Sequence, residues 1–251
     1  MISFGKLINQ RKIFAVVGLA AIGLVIAPNS ANAFTLVNRA GFTDNDFENL
    51  RTQGQFTELF VAESRMGDNL ASAGNHEIDI LGDTKKTFTP DQTGNRTWVN
   101  GQVLDFVLEY TGSQVTYSVG GQTLSTSAFS GGVTDIFLRT SANPLGSKST
   151  LSDLVFNGTS IGSLESAAIT NAAVTTADID YLQITGVTAP FKLAGKSSFA
   201  WTGTAPRNSN IAYQIKVGNS SQSVPEPGMV AAIVVAGAAA INKRKKQANH
   251  G

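Results

Sequence analysis

The chain of 251 residues contains no cysteine. That excludes disulfides, zinc–thiolate sites and thiol nucleophiles together. It also excludes a lipoprotein, whose lipid is attached to a cysteine thiol. Histidine is nearly as scarce, with His76 and His250 the two in the chain. One or two imidazoles cannot build a His-rich metal centre. The one Gly-x-Ser-x-Gly in 34–224, Gly158-Thr159-Ser160-Ile161-Gly162, follows an Asn-Gly turn into a predicted strand and not a strand-to-helix turn that would present a nucleophilic serine. No Gly-rich loop leads from a strand into a helix, so nucleotide binding has no support. Positive charge is scarce once the two ends are set aside. Residues 34–224 contain 12 Lys/Arg against 17 Asp/Glu, a net of −5, while the whole chain is +1. Phosphate recognition rests on clustered Lys/Arg, so no nucleic-acid partner is expected.

The basic residues outside that span belong to two terminal patterns. Lys6, Arg11 and Lys12 precede an apolar run from Ile13 to Ala27, and Pro28 breaks it. Ala31-Asn32-Ala33 then supplies the small-x-small pattern that signal peptidase accepts. Residues 1–33 therefore read as an export signal, cut after Ala33 to leave Phe34 first; export machinery and signal peptidase are the implied partners. A retained N-terminal anchor fits less well, because the apolar run is short and a cleavage pattern follows at once.

At the other end, Val224-Pro225-Glu226-Pro227 precedes an apolar run from Gly228 to Ile241 and the cluster Lys243-Arg244-Lys245-Lys246. The prolines cannot continue a helix or a central strand. Met229–Ile241 would span about 20 Å as a helix, short of the roughly 20 residues of a comfortable crossing. The four cations hold the end on the cytoplasmic side. This order of pieces resembles the PEP-CTERM sorting signal of Gram-negative bacteria. The resemblance covers residues 224–251 and implies recognition and cutting by an exosortase-like membrane protease, with transient membrane association. The Ala/Val-rich core and the tail Gln247–Gly251 depart from the pattern and bear on processing efficiency. An ordinary C-terminal membrane tail is the alternative.

Between the ends, composition points to β structure: Thr, Ser, Gly, Val, Asn and Phe are dense, with Gly or Asn breaks every 8 to 14 residues. One stretch predicts a helix, Asp44 to Thr52, capped by Thr43–Asp46, with Phe47 and Leu50 inward and Gly54 as the stop. Strands are predicted over Phe56–Ser64, His76–Leu81, Gly94–Val99, Val103–Tyr110, Val115–Val119, Gln122–Ser127, Thr134–Thr140, Thr150–Asn157, Ser160–Leu164, Asp178–Val187, Ser197–Thr202 and Asn210–Val217. In the first, strict alternation places Phe56, Glu58, Phe60 and Ala62 on one face. About 190 residues suffice for a core, burying roughly 70% of the unfolded surface. The expectation is an all-β, antiparallel two-sheet β-sandwich, jelly-roll or lectin-like. It is about twice an immunoglobulin unit, with no internal repeat that would make two. Residues 34–218 form one domain and 219–223 a polar linker into 224–251.

Phe60-Val61-Ala62-Glu63-Ser64-Arg65 and Leu154-Val155-Phe156-Asn157-Gly158-Thr159 resemble cyanobacterial choice-of-anchor domains, a resemblance that implies no established activity. The candidates for chemistry are few. His76, Glu77 and Asp79 lie close in sequence, but alternation on a strand sends His76 away from the two acids. Asp105 and Glu109 share a strand face roughly 13 Å apart, too far for a glycosidase pair and better read as solvated charges. Structural calcium would draw on Asp44, Asp46 and Glu48, or on Asp178 and Asp180; the first set lacks the Gly and distal Glu of a calcium loop. Sugar stacking would draw on Trp98 and Trp201, or on Tyr110, Tyr117 and Tyr213, though each sits at an alternating position where core packing is the simpler account. The resulting expectation is an exported, non-enzymatic surface or extracellular-matrix protein associated with exopolysaccharide, with no catalytic residues and no cofactor, structural calcium being the one metal left open. The exopolysaccharide part comes from the resemblance. A carbohydrate-binding or adhesive module is the second reading and a glycan-active enzyme the third.

Overall fold

The computed structural model describes residues 34–66, 78–83, 90–143, 145–168 and 177–221, all within one compact unit. The chain forms β1 (Thr35–Asn38), α1 (Asp44–Thr52), β2 (Phe56–Met66), β3 (Ile78–Leu81), β4 (Pro90–Gly94), β5 (Val103–Tyr110) and β6 (Val115–Val119). There follow β7 (Gln122–Thr126), β8 (Asp135–Ala142), β9 (Lys148–Phe156), β10 (Thr159–Ala167), β11 (Asp178–Thr185), β12 (Phe191–Ala200) and β13 (Ile211–Ser220). One sheet has seven strands in the order β1-β11-β8-β13-β2-β3-β4, and the other has six in the order β10-β9-β12-β5-β6-β7. Every pairing is antiparallel. The protein is an all-β sandwich of two packed sheets.

Alternation builds the core. Leu104, Phe106, Leu108 and Tyr110 of β5 meet Ile211, Tyr213, Ile215 and Val217 of β13 in one cluster between the sheets. Val115, Tyr117 and Val119 of β6 join them. Asp105 and Val107 face the other way on β5. Inside this core Tyr117 donates to the Tyr213 hydroxyl at 2.8 Å, and Ser64 Oγ lies 2.9 Å from Tyr117 Oη. A hydrogen-bonded chain of this kind satisfies hydroxyls that would otherwise be buried alone.

The helix follows the predicted bounds. Thr43 and Asp46 form a capping box, and Gly54 continues past the Gln53 cap at φ +68°, a conformation that suits glycine. Phe47, the buried residue of α1, packs on Phe56, Phe137 and Tyr181. These rings form a second apolar cluster on the outer face of the seven-stranded sheet.

Several boundaries differ from expectation. In β2 a register shift opposite Val217/Gly218 inserts an extra residue, Leu59, so Phe56 and Glu58 face α1 while Phe60, Ala62 and Met66 face the core. The bulge divides the face that strict alternation would make continuous. The Gly94–Val99 strand is corrected: β4 ends at Gly94, and beyond it the chain turns to bury Trp98. β12 begins at Phe191, six residues before the expected Ser197. Gly195 obscured that start, and a Cβ there would lie 2.9 Å from both Leu154 and Phe106. β1 was not anticipated. The linker expected from 219 is also corrected, because Asn219 and Ser220 pair with Thr57 and Phe56 as the end of β13. His76, Glu77, and the patterns at 1–33 (save for Phe34 beyond the cut) and 224–251 lie outside the described residues.

Register fixes a polarity. Thr35 pairs with Thr185, Thr185 with Asp135, and Asp135 with Gly218. Entry at Phe34 and exit at Ser221 therefore share one pole of the sandwich. Met66, Ala142 and Asp178 stand level with Ile211 at the other pole.

Candidate functional site

A cavity of about 290 Å³ opens on the outer face of the seven-stranded sheet, beneath α1. Period-two spacing aims its floor: Glu63 and Arg65 from β2, Gln214 and Lys216 from β13, Arg139 from β8 and Tyr181 from β11. Asp44, Phe47, Glu48 and Arg51 of α1 form the wall, one helical face at i, i+3, i+4 and i+7.

The charges in it answer one another. Arg139 forks onto Asp44, with Nε–Oδ1 and Nη2–Oδ2 both at 2.6 Å, and the Tyr181 hydroxyl donates to Oδ1 at 2.7 Å. Burial disfavours the charge on Asp44, yet the Arg139 and Tyr181 hydrogen bonds prevail and hold its carboxyl below the usual range. Arg51 reaches Glu48 at 3.1 Å, Asp83 at 3.0 Å and Glu58 at 3.4 Å. Lys216 lies 3.4 Å from Glu58 and 4.8 Å above the Phe47 ring. Burial lowers the pKa of its ammonium, opposed by the charge of Glu58. Gln214 donates to Glu63 Oε2 at 2.7 Å.

Glu63 and Asp79 stand directly opposite each other across β2 and β3. Arg65 lies between them, 3.2 Å from Glu63 Oε1 and 2.9 Å from Asp79 Oδ2. Among the described residues, Glu63 Oε1 and Asp79 Oδ1 are buried without a hydrogen-bond partner. Burial pushes the Asp79 carboxyl up to about 6, against a hydrogen bond from Thr93 and the charge of Arg65. The cavity thus alternates donors and acceptors with little net charge. Such a surface suits water or a small neutral hydroxylated molecule better than a bare ion.

The sequence-predicted residues distribute unevenly. Asp44 and Glu48 line this cavity, but Asp46 turns back to cap the helix through Thr43. The three acids therefore do not converge as calcium ligands. Asp178 accepts from the Ala167 amide at 2.6 Å and Asp180 from Ser166 at 3.1 Å. Among the described residues no group of three or more His, Asp or Glu is placed to hold a metal. Glu109 pairs with Lys192 at 2.7 Å on the outer face of β5. Trp98 is corrected as a sugar contact. It is 4% exposed, packs on Phe199 with centroids 4.4 Å apart, and donates from Nε1 to the Arg65 carbonyl at 2.9 Å. Trp201 is partly buried against the core. Phe34 packs edge-on against Phe156, with centroids 4.9 Å apart.

Sequence reasoning missed Arg139, Glu63, Gln214 and Lys216. A signal was present: each interrupts an apolar strand on the face opposite its core residues. No protein-family model and no curated protein matches the chain. Function has to be argued from these groups.

Proposed function

We propose that this chain is an exported, non-enzymatic β-sandwich of the cell surface or extracellular matrix. In this reading it is sorted by the PEP-CTERM-like segment 224–251 and associated with exopolysaccharide. The observation that supports it is the placing of Phe34 and Ser221 at one pole, each still held by the fold. Phe34 rests on Phe156, and the Ser221 amide donates to the Gln55 carbonyl at 2.9 Å. A cut after Ala33 and a membrane-seated or excised segment beyond Ser221 both leave every described strand paired. The net charge of −5 over 34–224 agrees with a partner other than nucleic acid.

The test is the intact mass and both termini of the protein recovered from separated envelope and medium fractions. The proposal expects a form that starts at Phe34 and ends near Pro225, with or without an added group. A form in the inner membrane that still carries Lys243–Lys246 would leave the tail a plain anchor and overturn the sorting route.

A further inference from the structure

We infer that the pole opposite the chain exits is a contact surface for a neutral polysaccharide, with Trp201 as its stacking residue; this rests on the surface-protein reading above. Among the described residues the large apolar side chains left exposed are Leu36, Val99, Val103 and Leu145. Val99, Val103 and Leu145 lie on or beside the two turns that flank Trp201 at that pole, where Ser198 pairs with Val103 and Ala200 with Lys148. The Trp201 amide donates to Asn100 Oδ1 at 2.9 Å, and Asn100 Nδ2 donates back to the Trp201 carbonyl at 2.8 Å. On its other side the Thr202 amide donates to the Gly146 carbonyl at 3.1 Å. Gly146 has φ +79°, and a Cβ there would run into the Thr202 hydroxyl. The Trp201 backbone is therefore fixed between the 99–103 turn and the 145–146 turn. Fewer backbone torsions are then left to freeze on binding.

The surroundings select the occupant. Asn100, Gln102, Asn143 and Thr202 beside Trp201 are exposed and uncharged, and Arg207 is an exposed cation on the 207–210 turn of the same pole. Lys148, which opens β9, is engaged by Glu165 at 2.8 Å. Amides and hydroxyls beside an aromatic face and aliphatic flanks match a pyranose, with its C–H face and its ring of hydroxyls. An anionic membrane surface would call for clustered cations, and the membrane-directed segment leaves from the other pole. The ten residues of β13 separate the poles by about 30 Å. A second copy of the chain is the other occupant to weigh. The four side chains expose on the order of 300 Å², no more than the largest patch on an ordinary monomer. A stable protein interface buries about 800 Å² a side. A sugar chain needs far less.

The experiment uses the protein recovered from the envelope or medium, run by native electrophoresis through gels containing hydroxyethyl cellulose or dextran. The expected result is retardation that weakens about tenfold in Trp201→Ala, equivalent to about 1.4 kcal/mol, measured well below the melting temperature of each folded variant. Trp201→Phe should recover part of it. Val99→Asn with Val103→Asn is the second variant, and it should weaken retardation without touching the core. The chain has two tryptophans, so in Trp98→Phe the emission reports on Trp201 alone and should shift on adding the same glucan. Equal retardation of wild type and both surface variants would overturn the Trp201 surface and leave polysaccharide association standing. No retardation of wild type on either glucan would overturn the inference and the exopolysaccharide half of the proposed function, while the terminal masses still decide export. Self-association that disappears in Trp201→Ala would name a second copy as the occupant and overturn the polymer assignment.

Discussion

Phe47→Ala isolates what holds α1 to the sheet. The Phe47 ring is 3% exposed and lies 5.5 Å from Phe56, 5.2 Å from Phe137 and 5.8 Å from Tyr181 between centroids. Truncating such a ring costs about 3–5 kcal/mol when the site cannot collapse. Here a second limit applies. A nine-residue helix is shorter than the roughly 12–15 residues that stand alone in water, so without its anchor α1 undocks. The loss is then capped at the docking free energy, and the Arg139–Asp44 fork goes with it. For a domain of this size 3–5 kcal/mol corresponds to about 6–20 °C in melting temperature. Calorimetry reads that number, and amide exchange reads its location. Protection should vanish over 47–55 and persist in β8 and β13. Asp44→Ala added to Phe47→Ala should cost no more than about 0.5 kcal/mol further, because the interaction it removes is already broken. Full additivity of the two variants, or amide protection retained over 47–55, would refute the cap and the undocking with it.

Thr43→Ala removes one half of the capping box and should cost about 1 kcal/mol in urea unfolding, with no change if the cap is incidental. Gly218→Ala places a Cβ against the Thr57 carbonyl at the bulge, where backbone cannot yield, and should cost about 1–3 kcal/mol. Gly132→Ala meets nothing within 4 Å and should be near neutral, so equal effects would sink the bulge argument. Burial pushes the Asp79 carboxyl up to about 6, whereas an unfolded aspartate titrates near 3.9. The folded state thus binds this proton more tightly, and stability from the group is full below about pH 4 and lost as pH rises through about 6. Unfolding free energy of wild type relative to Asp79→Asn should fall by on the order of 2 kcal/mol between about pH 4 and 7. A flat difference would refute the burial account.

The fold was legible wherever one side of a strand met the core and the other did not. Val103–Tyr110 and Val115–Val119 have the predicted bounds because period two and the turn residues agree there. Phe191–Lys196 failed that test for a tertiary reason: Gly195 reads as a break, yet the close approach of Leu154 and Phe106 demands it. The β2 bulge was invisible for a similar reason, since Leu59 becomes the extra residue only once β13 lies alongside. The charged cavity was harder still. Arg139 and Asp44 are 95 residues apart and meet because α1 folds back across the sheet.

Those same constraints separate two kinds of polar group in this protein. Beneath α1, Arg139 and Lys216 are matched by partners the fold itself supplies, so they are explained by docking the helix. Trp201 is different, because two hydrogen bonds with Asn100 fix its backbone while the core covers its side chain only in part. Stability alone would have been served by burying it, as Trp98, two residues before Asn100, is buried. Rigidity without full burial, at the pole farthest from both chain exits, is what a presented contact requires.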